Sequence, residues 1–174
     1  MAVQTLPMVA NNPFALIQNL DQAKKWQGFV KTNGNGFVFF DSPYSGTRAG
    51  FISFINTYLK RGINTIEKIF PIYAPKSDPR NDPEKYISAV TQLTKIPRNA
   101  PLTTAEQIIA VGKAIIRVES GSDWIDNGIL VGGYSAAAQY TNYPQLKKTS
   151  VKLAIPFFFI ILAATIWTIQ KKHF

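Results

Sequence analysis

The chain is 174 residues long and basic, with 19 Lys and Arg against 10 Asp and Glu and a formal net charge of +9. It has no cysteine and a single histidine, His173, so disulfides, thiolate nucleophiles, Ser–His–Asp triads and Cys- or His-based metal centres in the body are excluded. Proton chemistry falls to carboxylates, tyrosines or lysines, and the charge favours anionic surfaces such as phospholipid headgroups, packaged nucleic acid or acidic wall polymers.

Taken in chain order, Asn11-Asn12-Pro13 signals a turn or helix start, and Phe14, Leu16, Ile17 and Leu20 fit a short helix. Residues 31–36, KTNGNG, read as a sharp turn between residues 26–30 and the β-type run Phe37-Val38-Phe39-Phe40, giving a small hairpin. Asp41-Ser42-Pro43 predicts an N-cap, with Asp41 read as a capping residue. Phe51, Ile52, Ile55, Tyr58 and Leu59 then recur on one helical face. Gly62 ends that helix, and Asn64-Thr65 caps a short one over 66–70. Four prolines predict a fixed non-helical connection over 71–83. Residues 84–94 carry Tyr86, Ile87, Val90 and Leu93 on one face. Thr103 or Thr104 caps the next helix, with Glu106 near a capping-box position. That helix runs to about Glu119 and is apolar over so much of its circumference that it reads as central and buried. Residues 120–144, rich in Gly, Ser, Asn and Tyr, read as irregular apart from a turn of helix at Ala136 to Ala138. No internal repeat is evident.

From Leu153 to Ile169 the chain reads LAIPFFFIILAATIWTI, seventeen residues without a charge, framed by Lys147, Lys148 and Lys152 before and Lys171 and Lys172 after. As a helix this spans about 25 Å against a hydrocarbon core of about 30 Å. Snorkelling lysines and Trp167 at the interface cover the shortfall. The predicted organisation is a globular domain over 1–144, a basic juxtamembrane linker over 145–152, a transmembrane helix over 153–169 and a basic tail over 170–174. Residues 1–150 carry 16 Lys and Arg against the 10 acids, scattered in blocks no longer than two, so sequence-specific nucleic-acid recognition is not expected.

The order of short motifs from residue 11 to 121 resembles a family of small bacteriophage structural proteins associated with cell-wall degradation. The resemblance rests on Asn11-Asn12-Pro13, Trp26-Gln27-Gly28, Phe37-Val38-Phe39-Phe40, Ser42-Pro43, Gly46-Thr47-Arg48-Ala49, Tyr58, Gly62-Ile63-Asn64-Thr65-Ile66, Tyr73-Ala74-Pro75, Asn81-Asp82, Tyr86-Ile87 and Ile115-Ile116-Arg117-Val118-Glu119. Where that family usually continues Pro-Gly-Asn-Ile, this chain has Pro13-Phe14-Ala15-Leu16-Ile17, and where relatives often carry Trp before Ala-Pro it has Tyr73. The segment from Ile116 to Gly121 also resembles the Glu-Ser region around the catalytic glutamate of lytic transglycosylases, without the Gly-Leu-Met-Gln expected downstream. The expected fold is mainly α, a lysozyme-like α+β domain with a small β-hairpin; the resemblance fades after Gly121, and the one C-terminal transmembrane helix, read from the apolar run, is not part of the usual family pattern.

Glycan cleavage needs a carboxylic acid held protonated beside the leaving oxygen. Glu119 is the first candidate, because it ends the most apolar helix of the body, where desolvation raises a carboxyl's pKa. The structural alternative is a helix-terminal glutamate bonded to amides, Arg48 or Arg117. Tyr73, Trp124 and Tyr134 are candidate sugar-stacking residues, with Tyr140 a further aromatic of that kind. Arg48 is expected as a buried anchor paired with a carboxylate. Glu67 suits the first turn of its helix, and Asp78, Asp82 and Glu84 are expected to be solvated rather than to hold Ca²⁺. No metal or cofactor is expected.

Three functions fit. One is a virion protein anchored in the membrane beneath a capsid, contacting capsid proteins and cleaving peptidoglycan in a lytic-transglycosylase-like reaction during genome entry. The second is a non-enzymatic virion protein linking capsid to internal membrane. The third is a lysis factor anchored in the host inner membrane.

Overall fold

A computed structural model describes residues 4–143. The predicted linker, transmembrane helix and tail lie outside the described residues. Among those described, no helix is long and apolar enough to cross a membrane.

The body is mainly helical with one two-stranded antiparallel sheet. Its elements are α1 (Leu6–Val9), α2 (Leu20–Ala23), β1 (Phe29–Thr32), β2 (Val38–Phe40), α3 (Pro43–Thr57), a 3₁₀ turn (Leu59–Arg61), α4 (Ile66–Tyr73), α5 (Pro83–Thr94), α6 (Ala105–Ser120) and α7 (Asn127–Thr141). The hairpin pairs Phe29 with Phe40 and Thr32 with Val38, with a bulge between Phe29 and Lys31.

Residues 14–19 are not helical, contrary to the periodicity. Their backbone is used along the free edge of β2 instead. Val38 N–H donates to the Leu16 carbonyl (3.0 Å), Phe40 N–H to that of Ala10 (2.9 Å), and Ile17 bridges Phe37. Asn12, fully buried, locks this arrangement by accepting from Leu16 N–H (2.9 Å) and donating to the carbonyls of Leu16 (3.0 Å) and Val38 (2.9 Å). Asn12→Ala strands a buried N–H and a buried carbonyl, so it is expected to cost about 2 kcal/mol, read from the shift in urea midpoint at unchanged slope.

The N-terminal segment can lie this close to α3 because the helix presents glycine there. A Cβ on Gly46 would stand 1.8 Å from the Asn11 carbonyl oxygen, and one on Gly50 would stand 2.1 Å from the Phe14 ring. Gly46 and Gly50, four apart, share one helical face, and the chain from Asn11 to Phe14 lies along it. Phe14 then meets Phe51 edge to face at 5.0 Å, and Phe51 meets Tyr134 at 5.3 Å. Burying each such ring is worth roughly 2–3 kcal/mol. These aromatics, with Ile108 and Ile115 of α6 and Ile66, Ile69 and Phe70 of α4, form the main core. The expectation of a central, buried α6 is met. Its N-terminus carries a capping box, but Gln107, not Glu106, returns to the backbone of Thr104.

Residues 127–141 correct the sequence reading most clearly, since a four-turn helix stands where an irregular segment was expected. Glycine weakens helix propensity, yet here it permits close packing of α7 on α3. A Cβ on Gly133 would lie 2.7 Å from Thr47 Cγ2. Leu130, Tyr134, Ala137 and Ala138 are buried on the same helix. A smaller correction concerns 71–83. Pro71 is taken into the last turn of α4, and Pro83 opens α5 at the first turn, where a missing N–H costs nothing.

Candidate functional site

Glu119 lies in the last turn of α6, one turn beyond the buried Ile115, and Gly121 ends the helix in the left-handed conformation with φ 75°. The carboxyl is half-buried and opens onto a cavity of about 350 Å³. The segment from Phe14 to Ile17, Gly50, Ser53 and Phe54 of α3, and Asp78, Arg80 and Asn81 of the connection after α4 all contribute to its lining. The connection after α4 thus adds Asp78, Arg80 and Asn81 to a cleft lined by aromatic, apolar and polar side chains.

Two phenols surround the carboxyl. Tyr86, in the first turn of α5, donates to Glu119 Oε1 at 2.8 Å, and its ring stacks on Phe70 at 4.6 Å. Tyr73, the last residue of α4, donates to the Phe14 carbonyl at 2.8 Å and packs edge-on to Tyr86 at 5.5 Å. Burial pushes the Tyr73 and Tyr86 hydroxyls well above the ordinary tyrosine range, and the neighbouring Glu119 charge acts in the same direction. Both stay protonated donors.

Desolvation raises the pKa of Glu119 above the usual carboxylate value, and this outweighs the hydrogen bond from Tyr86 and the nearby Tyr73 hydroxyl, which favour the ionised form. The negative end of the α6 dipole acts in the same sense as desolvation. Asp78, in the lining of the same cavity, is driven the other way. Arg80 pairs with it at 2.6 Å, and hydrogen bonds from the Arg80 side chain and backbone hold its carboxyl down to about 2. One cavity therefore contains a carboxyl biased toward the acid form and another fixed as the anion, a division of roles that suits acid catalysis with a charge-stabilising partner.

Of the residues singled out in the sequence, Glu119 and Tyr73 come together here. Trp124 and Tyr134 do not line the cavity. Trp124 packs half-buried against the core, and its indole N–H finds no acceptor among the described residues. Tyr134 is fully buried against Phe51. Arg48 corrects its expectation as well. Rather than pairing with a carboxylate, its guanidinium lies over the Tyr140 ring, 5.2 Å from the centroid. Arg117 pairs with Asp123 at 2.8 Å, so neither arginine serves Glu119. Asp41 accepts from the Ser42 hydroxyl (2.9 Å), while Ser42 itself caps α3. Glu67 and Glu84 both bind Arg98, and Asp82 caps α5. Among the described residues no group of three or more His, Asp or Glu is placed to hold a metal ion.

Sequence reasoning missed Asp78, Arg80 and Tyr86 as parts of one site. Tyr86 stands in the sequence on an apolar helical face and in the Tyr86-Ile87 motif of the resemblance, neither of which marks it as a partner of Glu119. Asp78 and Arg80, two residues apart between prolines, look like an ordinary solvated loop until the fold places them in the lining of the Glu119 cavity.

A small helical domain built around one half-buried acid, with basic residues over much of its surface, is the class that fold and site define. No family model matches the chain. Over 115 residues, 65% of this chain and 69% of the relative, it is 36% identical to Protein P5 of Pseudoalteromonas phage PM2. The chain belongs to the family of that bacteriophage protein. The relationship bears out the bacteriophage part of the resemblance and is consistent with a virion protein.

Proposed function

We propose that this is a bacteriophage virion protein, held on a membrane by residues 153–169, whose Glu119 cavity cleaves the glycan strands of peptidoglycan. The observation that carries the reading is the shared cavity of Glu119, biased toward its protonated form, and Asp78, held ionised by Arg80. In the proposed reaction Glu119 gives its proton to the glycosidic oxygen as the bond to the anomeric carbon breaks. The Asp78 carboxylate stabilises the positive charge that develops on the ring. Glu119, now the anion, takes the proton of the sugar's own 6-hydroxyl as that oxygen closes onto the anomeric carbon, which regenerates the acid and leaves an anhydro end. This is the lytic-transglycosylase-like course. Tyr73 and Tyr86 hold the carboxyl in place, and Tyr73 presents an aromatic edge to the cleft. The apolar run flanked by lysines and the net charge of +9 support a place against anionic lipid.

The test is the clearing of a peptidoglycan suspension by the full-length protein, purified in detergent, between about pH 4 and 8. Clearing that depends on Glu119 supports the reading, and no clearing at any pH rejects it. Because a general acid works only while protonated, activity is expected to fall on the alkaline side as Glu119 ionises. Tyr86→Phe removes a hydrogen bond that favours the anion, so the alkaline limb of the pH–rate profile is expected to move upward. An unmoved limb contradicts the role given to Tyr86.

A second reading, a non-enzymatic link between capsid and membrane, has its own support. Asn12 of the Asn-Asn-Pro segment is committed to backbone hydrogen bonds and does not line the cavity. That reading predicts a protein present in purified virions at stoichiometric copy number and without wall-clearing activity. Absence from virions would instead favour a lysis factor.

A further inference from the structure

We propose that a second groove, on the opposite side of α3 from the Glu119 cavity, binds an acidic saccharide: a sugar ring bearing a carboxylate. Successive helical residues are turned by about 100°, so Arg48, Ile52 and Asn56, four apart, share one face, whereas Gly50 and Phe54 share the opposite one. The first set lines the groove and the second lines the Glu119 cavity. The groove holds about 530 Å³, and a lobe of about 330 Å³ adjoins it, sharing Gln27, Arg48 and Tyr140. Both lie within the size range of small-ligand sites, roughly 300–1,000 Å³.

The lining chemistry defines the ligand. Gln18, Gln22, Gln27 and Asn56 offer carboxamides, which donate and accept at once and so match the hydroxyl and acetamido groups of a sugar. Trp26 and Tyr140 supply flat apolar faces for a sugar ring. Tyr140 is the more telling of the two. At 67% exposure it is the most exposed large apolar side chain among the described residues, yet it is held in place by the Arg48 guanidinium across its ring. The only charged groups in the lining are the cations Lys25 and Arg48. Neither forms a salt bridge among the described residues, although Asp78, Asp82, Glu67, Glu84 and Asp123 all do so elsewhere. An unpaired, half-buried guanidinium beside an exposed aromatic ring is a ready partner for a carboxylate. A muramyl unit free of its stem peptide has the required carboxylate, and recognition of it here stands independently of whether Glu119 cleaves anything.

The experiment is titration calorimetry of the full-length protein in detergent, in a Glu119→Gln background that prevents turnover. The ligands are a muramic-acid-containing tetrasaccharide, chitotetraose as its counterpart without carboxylates, and inorganic phosphate. The acidic tetrasaccharide is expected to bind saturably and chitotetraose about tenfold more weakly or worse. Arg48→Gln and Tyr140→Ala are each expected to weaken the acidic ligand by a similar factor. Both side chains lie at the surface, and an unchanged melting temperature establishes that the variants are folded. Equal affinity for the two tetrasaccharides, binding unaffected by either substitution, or displacement by phosphate at the same concentration as the sugar would each overturn the proposal. Absence of wall clearing by the parent protein, with groove binding intact, would count against the Glu119 reading alone.

Discussion

Glu119→Gln is expected to abolish wall clearing, lowering the cleavage rate by about 10²–10⁴-fold, the usual contribution of a positioned general acid. The substitution keeps the shape of the side chain and its ability to accept from Tyr86, so the loss reports the missing proton and not a collapsed cleft. Stability supplies an independent readout. Desolvation raises the pKa of Glu119 in the folded state above its ordinary carboxylate value, so the folded protein holds this proton more tightly than the unfolded chain. The stability associated with the neutral carboxyl is complete below the unfolded pKa and is lost as pH rises through the folded one. Glutamine has no proton to lose. The stability of Glu119→Gln relative to the parent is therefore expected to grow as pH rises from the unfolded pKa through the folded one, and then to level off. Urea melts across that range measure it, and a gap that stays constant or closes would mean that Glu119 is not desolvated as described.

Gly46→Ala is expected to be the most damaging conservative change in the body, at about 3 kcal/mol, or a fall in melting temperature of roughly 10 °C. The added methyl would stand 1.8 Å from the Asn11 carbonyl oxygen, and backbone cannot rotate aside as a flexible side chain can. The N-terminal segment must lift off α3, which loosens Asn12 and the pairing of Leu16 and Ala10 with β2. The segment from Phe14 to Ile17 also forms a wall of the Glu119 cavity, so activity is expected to fall together with stability. A melting temperature within about 2 °C of the parent would show that the helix and the segment do not pack as described.

How legible these features were in the sequence depends on whether their cause is local. Thr65 and Thr104 cap helices as the spacing predicts, because a capping hydroxyl acts within three residues of itself. The position of Glu119 at the end of the most apolar helix was readable for the same reason. By contrast, α7 was hidden because Gly128, Gly132 and Gly133 argue against a helix locally, and only the face of α3 that receives Gly133 explains them. Residues 14–19 have a helical pattern but are drawn into extended pairing by β2, a partner about twenty residues away in sequence. Arg48 carries no signal that distinguishes a carboxylate partner from an aromatic one. Asp78 joins the site only because the fold brings its loop and the end of α6 to one cavity, which no spacing in the chain encodes.

The most direct measurement of the central claim is mass spectrometry of the sugar ends released when the full-length protein is incubated with purified peptidoglycan. The account predicts new glycan ends of the anhydro type from the parent protein and none from Glu119→Gln. No new ends from the parent, or the same yield from both proteins, would contradict it.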